Sequence, residues 1–146
     1  MKRIVITLTV VLSLISFSSF AGEGITPAAL QSFKSSFKNA TDVVWTTTSN
    51  HYKATFSLNG IYVSAYYDAG GTMVAVTRNI SSLQLPVTLQ TTLKKDHENY
   101  WISDLFEMAN EDGTTYYVTL EDADNKIVLK STATSGWSVY KKMSKS

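Results

Sequence analysis

The sequence predicts an α+β protein, organised as a tandem repeat of one helix packed on a roughly four-stranded antiparallel sheet. Two observations predict it. Residues 26–78 and residues 85–142 each begin with a short amphipathic helix pattern and continue with strands rich in Tyr, Phe and Val. In both segments apolar and polar residues alternate, which is typical of strands with one buried side. Since an antiparallel sheet tolerates one wet face, each unit should leave one side of its sheet open.

An apolar segment with a basic start precedes these two units. Met1-Lys2-Arg3 is followed by a nearly unbroken apolar run from Ile4 to Phe17, and Ser19 and Ala21 supply small residues at a cleavage site. This pattern predicts a signal peptide over residues 1–21, because the run is shorter than the roughly 20 residues of a membrane-spanning helix. The mature chain, residues 22–146, is therefore expected to be a single domain in the periplasm or secreted, without a membrane span.

The composition excludes several classes of protein. Without Lys2 and Arg3 the chain keeps eleven basic residues against twelve acidic ones, so it lacks the basic footprint that nucleic acid requires. The sequence has no cysteine, which excludes disulfides and zinc–thiolate sites. The mature chain of about 125 residues is long enough to bury one core without covalent staples.

Both predicted helices begin at a proline. Thr26 can cap the first helix and Pro27 suits its first position, where a missing N–H costs nothing. The second helix follows Leu85-Pro86. Apolar residues then recur at helical spacing on one face of each helix, namely Leu30, Phe33 and Phe37 in the first and Leu89 and Leu93 in the second. Each helix should therefore bury one stripe against its sheet.

The predicted strands are defined best around Asn59-Gly60. Residues 52–58 alternate strictly, and Asn-Gly is the strongest short signal for a hairpin because both turn residues accept positive φ. On the return strand Val63, Ala65 and Tyr67 continue the buried side. Further turns are predicted at residues 69–71, 110–113 and 124–125, and residues 116–120 alternate as residues 52–56 do.

Several short motifs, taken in order, resemble a known family. They are the stretch from Phe33 to Trp45, the turn from Asp68 to Gly71, Leu85-Pro86, and the strand from Tyr116 to Thr119. The set is similar to the PepSY-like family of periplasmic proteins, whose fold is similar to that of the β-lactamase inhibitory protein. The resemblance spans residues 29–140. It implies a tandem helix-on-sheet fold, bacterial export and no established catalytic activity, and it carries over no β-lactamase-binding residues.

No catalytic, metal or cofactor site is predicted. His51 and His97, the two histidines, lie in different predicted elements, and a transition-metal site would need both with a carboxylate. Residues 121–125 alternate oxygen ligands but lack the glycine and distal glutamate of a calcium loop. No serine has a Gly-x-Ser-x-Gly setting. The chain is therefore expected not to be an enzyme.

The open sheet side is the predicted binding surface. Tyr and Trp supply large, stiff contact area and dominate the energetics of interfaces. The predicted binding residues are Lys53, Thr55, Tyr62, Tyr66 and Tyr117, with Trp45 near the same surface.

The leading hypothesis is an exported, non-catalytic binding or inhibitor-like module for an unknown protein, peptide or glycan. The first alternative is a structural envelope protein that self-associates as a homodimer. The second is an enzyme with a non-obvious site.

Overall fold

The computed structural model describes residues 24–145, so the predicted signal peptide lies outside the described residues. Two α-helices, one 3₁₀ turn and eight strands follow in chain order in these residues. They are α1 (Pro27–Ser36), β1 (Thr41–Thr47), β2 (Tyr52–Leu58), β3 (Ile61–Tyr67), β4 (Met73–Asn79), a 3₁₀ turn (Ser82–Gln84), α2 (Val87–Asp96), β5 (Trp101–Asn110), β6 (Gly113–Glu121), β7 (Asn125–Thr132) and β8 (Ser138–Ser144). In the described part of the chain, neither helix is long and apolar enough to cross a membrane.

The strands form one continuous eight-stranded sheet, so the prediction of a tandem repeat on two four-stranded sheets is wrong. The order is β1 to β8, and every neighbouring pair is antiparallel. β4 joins the halves by pairing with β5 from Val76↔Ala109 to Asn79↔Phe106. The protein is mostly β, with two ten-residue helices. The physical reason is that two separate sheets would leave the edges of β4 and β5 unpaired, and joining them satisfies both.

The local predictions around α1 and the β2–β3 hairpin are confirmed. The Thr26 hydroxyl accepts a hydrogen bond from the Ala29 amide at 3.4 Å, and Pro27 begins the helix. Asn59 and Gly60 both have positive φ, +51° and +81°, as their hairpin turn requires. α2 differs slightly, because Pro86 lies one position before the helix rather than inside it.

Both helices cover the same side of the sheet, and each lies over its own apolar cluster. The cluster under α1 includes Phe33 and Phe56, and the cluster under α2 includes Leu93 and Leu120. On β4 and β5, Arg78 pairs with Glu107 in an ion pair at the junction of the two halves. The core therefore occupies one side of the sheet, in two parts.

Tyr67 carries a buried hydroxyl in the α1 cluster. Its side chain is fully buried, and its oxygen has no hydrogen-bond partner within residues 24–145. Burial raises the pKa of Tyr67 to about 12, because the ionised form would lose its hydration. An unsatisfied buried polar group costs about 1–3 kcal/mol.

Tyr67→Phe should therefore raise the free energy of unfolding by about 1 kcal/mol, since it removes the hydroxyl and keeps the ring. Urea titration of residues 22–146 measures this difference. Tyr66→Phe, on the opposite side of the same strand, is the matched control and should change little. A clear loss of stability in Tyr67→Phe would mean that the hydroxyl is hydrogen-bonded after all.

Candidate functional site

The side of the sheet opposite the helices is the uncovered face. Its residues are the strand positions that alternate with the buried ones, and the register of the strands identifies them. They include Lys53, Thr55, Tyr62, Ser64, Tyr66, Thr77, Asp104, Phe106, Met108, Tyr117, Glu121, Lys126, Val128, Lys130 and Lys141. Thr119 also lies on this side, although its neighbours bury it.

On the β2–β3 part of the uncovered face, side chains meet across the strands. Lys53 stands opposite Tyr66, with its Nζ 5.7 Å from the centre of the ring. The hydroxyls of Thr55 and Ser64 lie 3.1 Å apart in a hydrogen bond. Tyr62, near the hairpin, is 67% exposed, so its ring is available for contact. A lysine over a tyrosine ring is a favourable pair of about 0.5–1 kcal/mol at such sites.

A second aromatic group lies on β5, β6 and β8. The rings of Phe106 and Tyr117 are stacked at 5.1 Å, with their planes 15° apart. Tyr140 meets Tyr117 edge-on at 5.5 Å, and the Nζ of Lys130 lies 5.5 Å from the centre of the Tyr140 ring. Since Tyr140 is 60% exposed, this row of three rings ends in an accessible side chain.

Lys145 ties the end of the chain to β5 and β6. Its Nζ lies 4.6 Å from the centre of the Trp101 ring and 3.1 Å from a carboxylate oxygen of Glu121. A hydrogen bond from Ser103, then the hydrogen bond and charge of Lys145, lower the pKa of Glu121. Glu121 is therefore ionised at neutral pH, and its charge is already paired.

The uncovered face carries an excess of positive charge. Four lysines occupy its strand positions, Lys53, Lys126, Lys130 and Lys141, and Lys145 follows β8. Against them stand Asp104 and Glu121. Residues 22–146 as a whole are close to neutral, so charge is distributed unequally between the two sides of the sheet. An acidic surface would complement this face.

Five of the six predicted binding residues lie on the uncovered face together: Lys53, Thr55, Tyr62, Tyr66 and Tyr117. Trp45 does not. It lies on the helix side, half-buried, with its ring 5.3 Å from that of Phe33. The reason is register, because Trp45 pairs with the buried Ala54 and so shares its side of the sheet. Trp137 likewise packs on the α2 cluster and donates its indole N–H to the Leu89 carbonyl at 3.0 Å.

Phe106, Tyr140 and Trp101 are missing from the predicted set. The register shifts in β5 between Ile102 and Asp104, and in the β7–β8 pair after Val128, so simple alternation loses phase there. In addition, the neighbours Leu105 and Phe106 are both apolar, so apolar–polar alternation cannot show which of them lies on the buried side of the sheet. The remaining signal in the sequence is Tyr140 itself, which is followed by Lys141 and Lys142.

The two histidines lie in different parts of the fold, and Asp122 lies in a turn. His51 is exposed in the β1–β2 loop, while the His97 ring packs edge-on to Tyr100 at 5.9 Å at the end of α2. Asp122 accepts hydrogen bonds from the amides of Asp124 and Asn125, which lower its pKa. Within residues 24–145, no three His, Asp or Glu side chains are grouped as a metal site would need.

Comparison with known proteins identifies the fold. No family model and no curated protein matches the sequence. A BLIP-like protein from Bacteroides fragilis is similar in structure with a TM-score of 0.65 and 21% identity, over 80% of this chain and 84% of that one. A DUF2874 family protein from Bacteroides ovatus has a TM-score of 0.71 and 18% identity, over 82% and 87%.

A candidate periplasmic protein from Bacteroides eggerthii has a TM-score of 0.73 at 10% identity, over 81% of this chain and 87% of that one. At these identities the likeness shows the fold alone. The predicted similarity to the fold of the β-lactamase inhibitory protein is confirmed, and membership of the PepSY-like family stays a prediction.

Proposed function

We propose that this chain is an exported, non-catalytic binding module that captures its partner on the uncovered face. The observation that carries the proposal is the arrangement of aromatic rings with lysines on that face. Phe106, Tyr117 and Tyr140 form a continuous row beside Lys130, and Tyr66 lies under Lys53 in the other half. Tyrosines of this kind offer contact area at a low cost in conformational entropy.

Export is supported by the leader pattern at residues 1–21 and by one structural neighbour that is itself a candidate periplasmic protein. An inhibitor-like role has weaker support, namely the likeness of the fold to a BLIP-like protein. We therefore propose binding, with no particular enzyme as the target.

Glu121 and Asp122 are not suited to act as general acids, which supports a non-catalytic role for them. A general acid at neutral pH needs a carboxyl whose pKa is raised, usually by burial or a like charge. Glu121 and Asp122 show the reverse, because hydrogen bonds and Lys145 lower their pKa values. Both serve to hold the β6–β7 turn and the end of the chain.

The charge of the uncovered face indicates the chemistry of the partner. Five lysines against two carboxylates favour an acidic protein, peptide or glycan. Because the lysines are at the surface, the attraction should weaken with salt.

Substitutions on the two sides of the sheet test the proposal. Tyr62→Ala with Tyr140→Ala removes two exposed rings from the uncovered face, so the fold should tolerate it. Recovery of partners from a bacterial envelope extract on the immobilised mature chain should fall at least about tenfold, as for interface residues worth more than about 1.4 kcal/mol. The matched control is Leu83→Ala with Val87→Ala, which are exposed on the α2 side.

Equal recovery by the tyrosine variant and the wild type would contradict the proposal. Light scattering of the same samples gives a second readout. A stable dimer that the tyrosine substitutions dissociate would favour the homodimer alternative.

A further inference from the structure

A cavity lies on the helix side of the sheet, away from the uncovered face. Its volume is about 360 Å³, and it opens under the C-terminal end of α2. Such a volume is within the range of small-molecule sites, about 300–1,000 Å³. The cavity is lined by Ser82, Gln90, Leu93, Lys94, His97, Glu98, Tyr100, Ile102 and Leu120.

The corresponding end of α1 is filled by aromatic rings. Phe33 packs on Phe37 with ring centres 5.6 Å apart, and both pack on Phe56, at 5.0 and 4.7 Å. Phe37 is the residue that ends α1, and its amide bonds to the Phe33 carbonyl at 2.9 Å. Three interlocking rings thus occupy the space between the helix end and the strands.

At the end of α2 the same contacts involve smaller or polar side chains. His97 ends the helix, and its amide bonds to the Leu93 carbonyl at 3.1 Å, as Phe37 bonds to Phe33. Leu93 and Leu120 form the floor in place of two phenylalanine rings. The cavity therefore lies where the other helix buries aromatic side chains, and its volume of about 360 Å³ is large enough for a ring.

The walls of the cavity define the polarity of a ligand. The rim holds one cation, Lys94, and one anion, Glu98, so a charged ligand gains little from it. The Nε2 of Gln90 donates to the carbonyls of Leu85 at 2.8 Å and Leu83 at 3.2 Å. This fixes the amide and leaves its oxygen to accept a hydrogen bond from a ligand hydroxyl.

We infer that this cavity binds a small, uncharged aromatic molecule with a hydroxyl group, of the phenol class. The ring would lie on Leu93 and Leu120, against the edge formed by Tyr100 and His97, and the hydroxyl would face Gln90. This site is separate from the uncovered face and does not depend on the proposed function.

The test uses 4-methylphenol as the probe and the isotope-labelled mature chain. Titration followed by amide chemical shifts should give saturable changes confined to residues 82–102 and the neighbourhood of Leu120. A dissociation constant on the order of 1 mM is expected for a ligand of this size. The aliphatic analogue 4-methylcyclohexanol should bind several-fold more weakly, because it loses the contacts with the aromatic edge.

A variant in which a larger lining side chain fills the cavity tests the site directly. Leu93→Phe places a ring where Phe33 lies in the other half, and should weaken binding at least tenfold. Leu83→Phe is the matched control, because Leu83 is exposed and outside the lining. If Leu93→Phe does not fold, His97→Phe fills the mouth of the cavity instead and should have the same effect.

The inference is overturned by any of three results. The first is no saturable shift up to the solubility of the probe. The second is a shift pattern centred on the uncovered face. The third is unchanged binding in a folded variant that fills the cavity. The variant with Tyr62→Ala and Tyr140→Ala should keep its affinity for 4-methylphenol, which separates this site from the proposed function.

Discussion

Replacing Phe56 by alanine should lower the free energy of unfolding by about 3–5 kcal/mol, the usual cost of deleting a large aromatic side chain from a core. Phe56 is fully buried, at the centre of β2, and its ring contacts those of Phe33 and Phe37. Its loss removes two of the ring contacts that join α1 and its C-terminal residue to the sheet. Because small domains are stable by only about 5–15 kcal/mol, the variant should be close to unfolding at room temperature.

Urea denaturation followed by circular dichroism measures this loss. Tyr62→Ala is the matched control, because it deletes an aromatic ring from the same hairpin on the uncovered face and should cost no more than about 1 kcal/mol. A cost below about 1 kcal/mol for Phe56→Ala would mean that the α1 cluster is loosely packed.

The hairpin that contains Phe56 was predictable from sequence because all of its signals are local. Strict alternation over residues 52–58 assigns each side chain to one side of the sheet. Asn59-Gly60 places the turn, and the seven paired positions of β2 and β3 follow from it. Lys53, Thr55, Tyr62 and Tyr66 were therefore placed correctly, since their positions depend on register alone.

The single sheet was not predictable in this way. The pairing of β4 with β5 joins segments that are separated in sequence by the 3₁₀ turn and α2. No sequence pattern near Val76 or Ala109 indicates that these two strands are neighbours. Local patterns specify which side of a strand is buried, but not which strand lies beside it. Two four-stranded sheets and one eight-stranded sheet have the same alternation, so only the unpaired edges distinguish them.

The residues of the uncovered face on β5 and β8 were not predicted, for a different reason. Tyr117 was found because β6 alternates cleanly, whereas Phe106 and Tyr140 lie on strands with register shifts. An extra residue at such a shift moves every later side chain to the opposite side. Trp45 shows the same limit on β1, where Asp42 has a positive φ of +54° and the pairing is irregular.

The other large effect is expected from Gly71→Ala, which should lower the free energy of unfolding by at least about 3 kcal/mol. Gly71 lies in the turn between β3 and β4 with φ +83°, which side chains rarely adopt. A Cβ there would meet the backbone carbonyl of Ala28, with both its carbon and oxygen at 2.7 Å. The turn and α1 are also linked by a hydrogen bond from the Thr26 hydroxyl to the Ala69 carbonyl at 2.9 Å. The added methyl group therefore has to push the start of α1 away from the sheet.

Substitutions at two other glycines separate the two causes of this effect, the backbone strain and the steric clash with Ala28. Gly60 has a similar φ of +81°, and a methyl group added there would have no neighbour within 4 Å, so Gly60→Ala should cost only the backbone strain, about 1–2 kcal/mol. Gly70 lacks a positive φ, and its nearest neighbour would be a carboxylate oxygen of Asp68 at 3.4 Å, so Gly70→Ala should change stability by less than about 0.5 kcal/mol. Urea titration of the three variants gives the order directly. If Gly71→Ala were no more destabilising than Gly60→Ala, the close contact between this turn and α1 would not exist, because strain alone would then account for the loss.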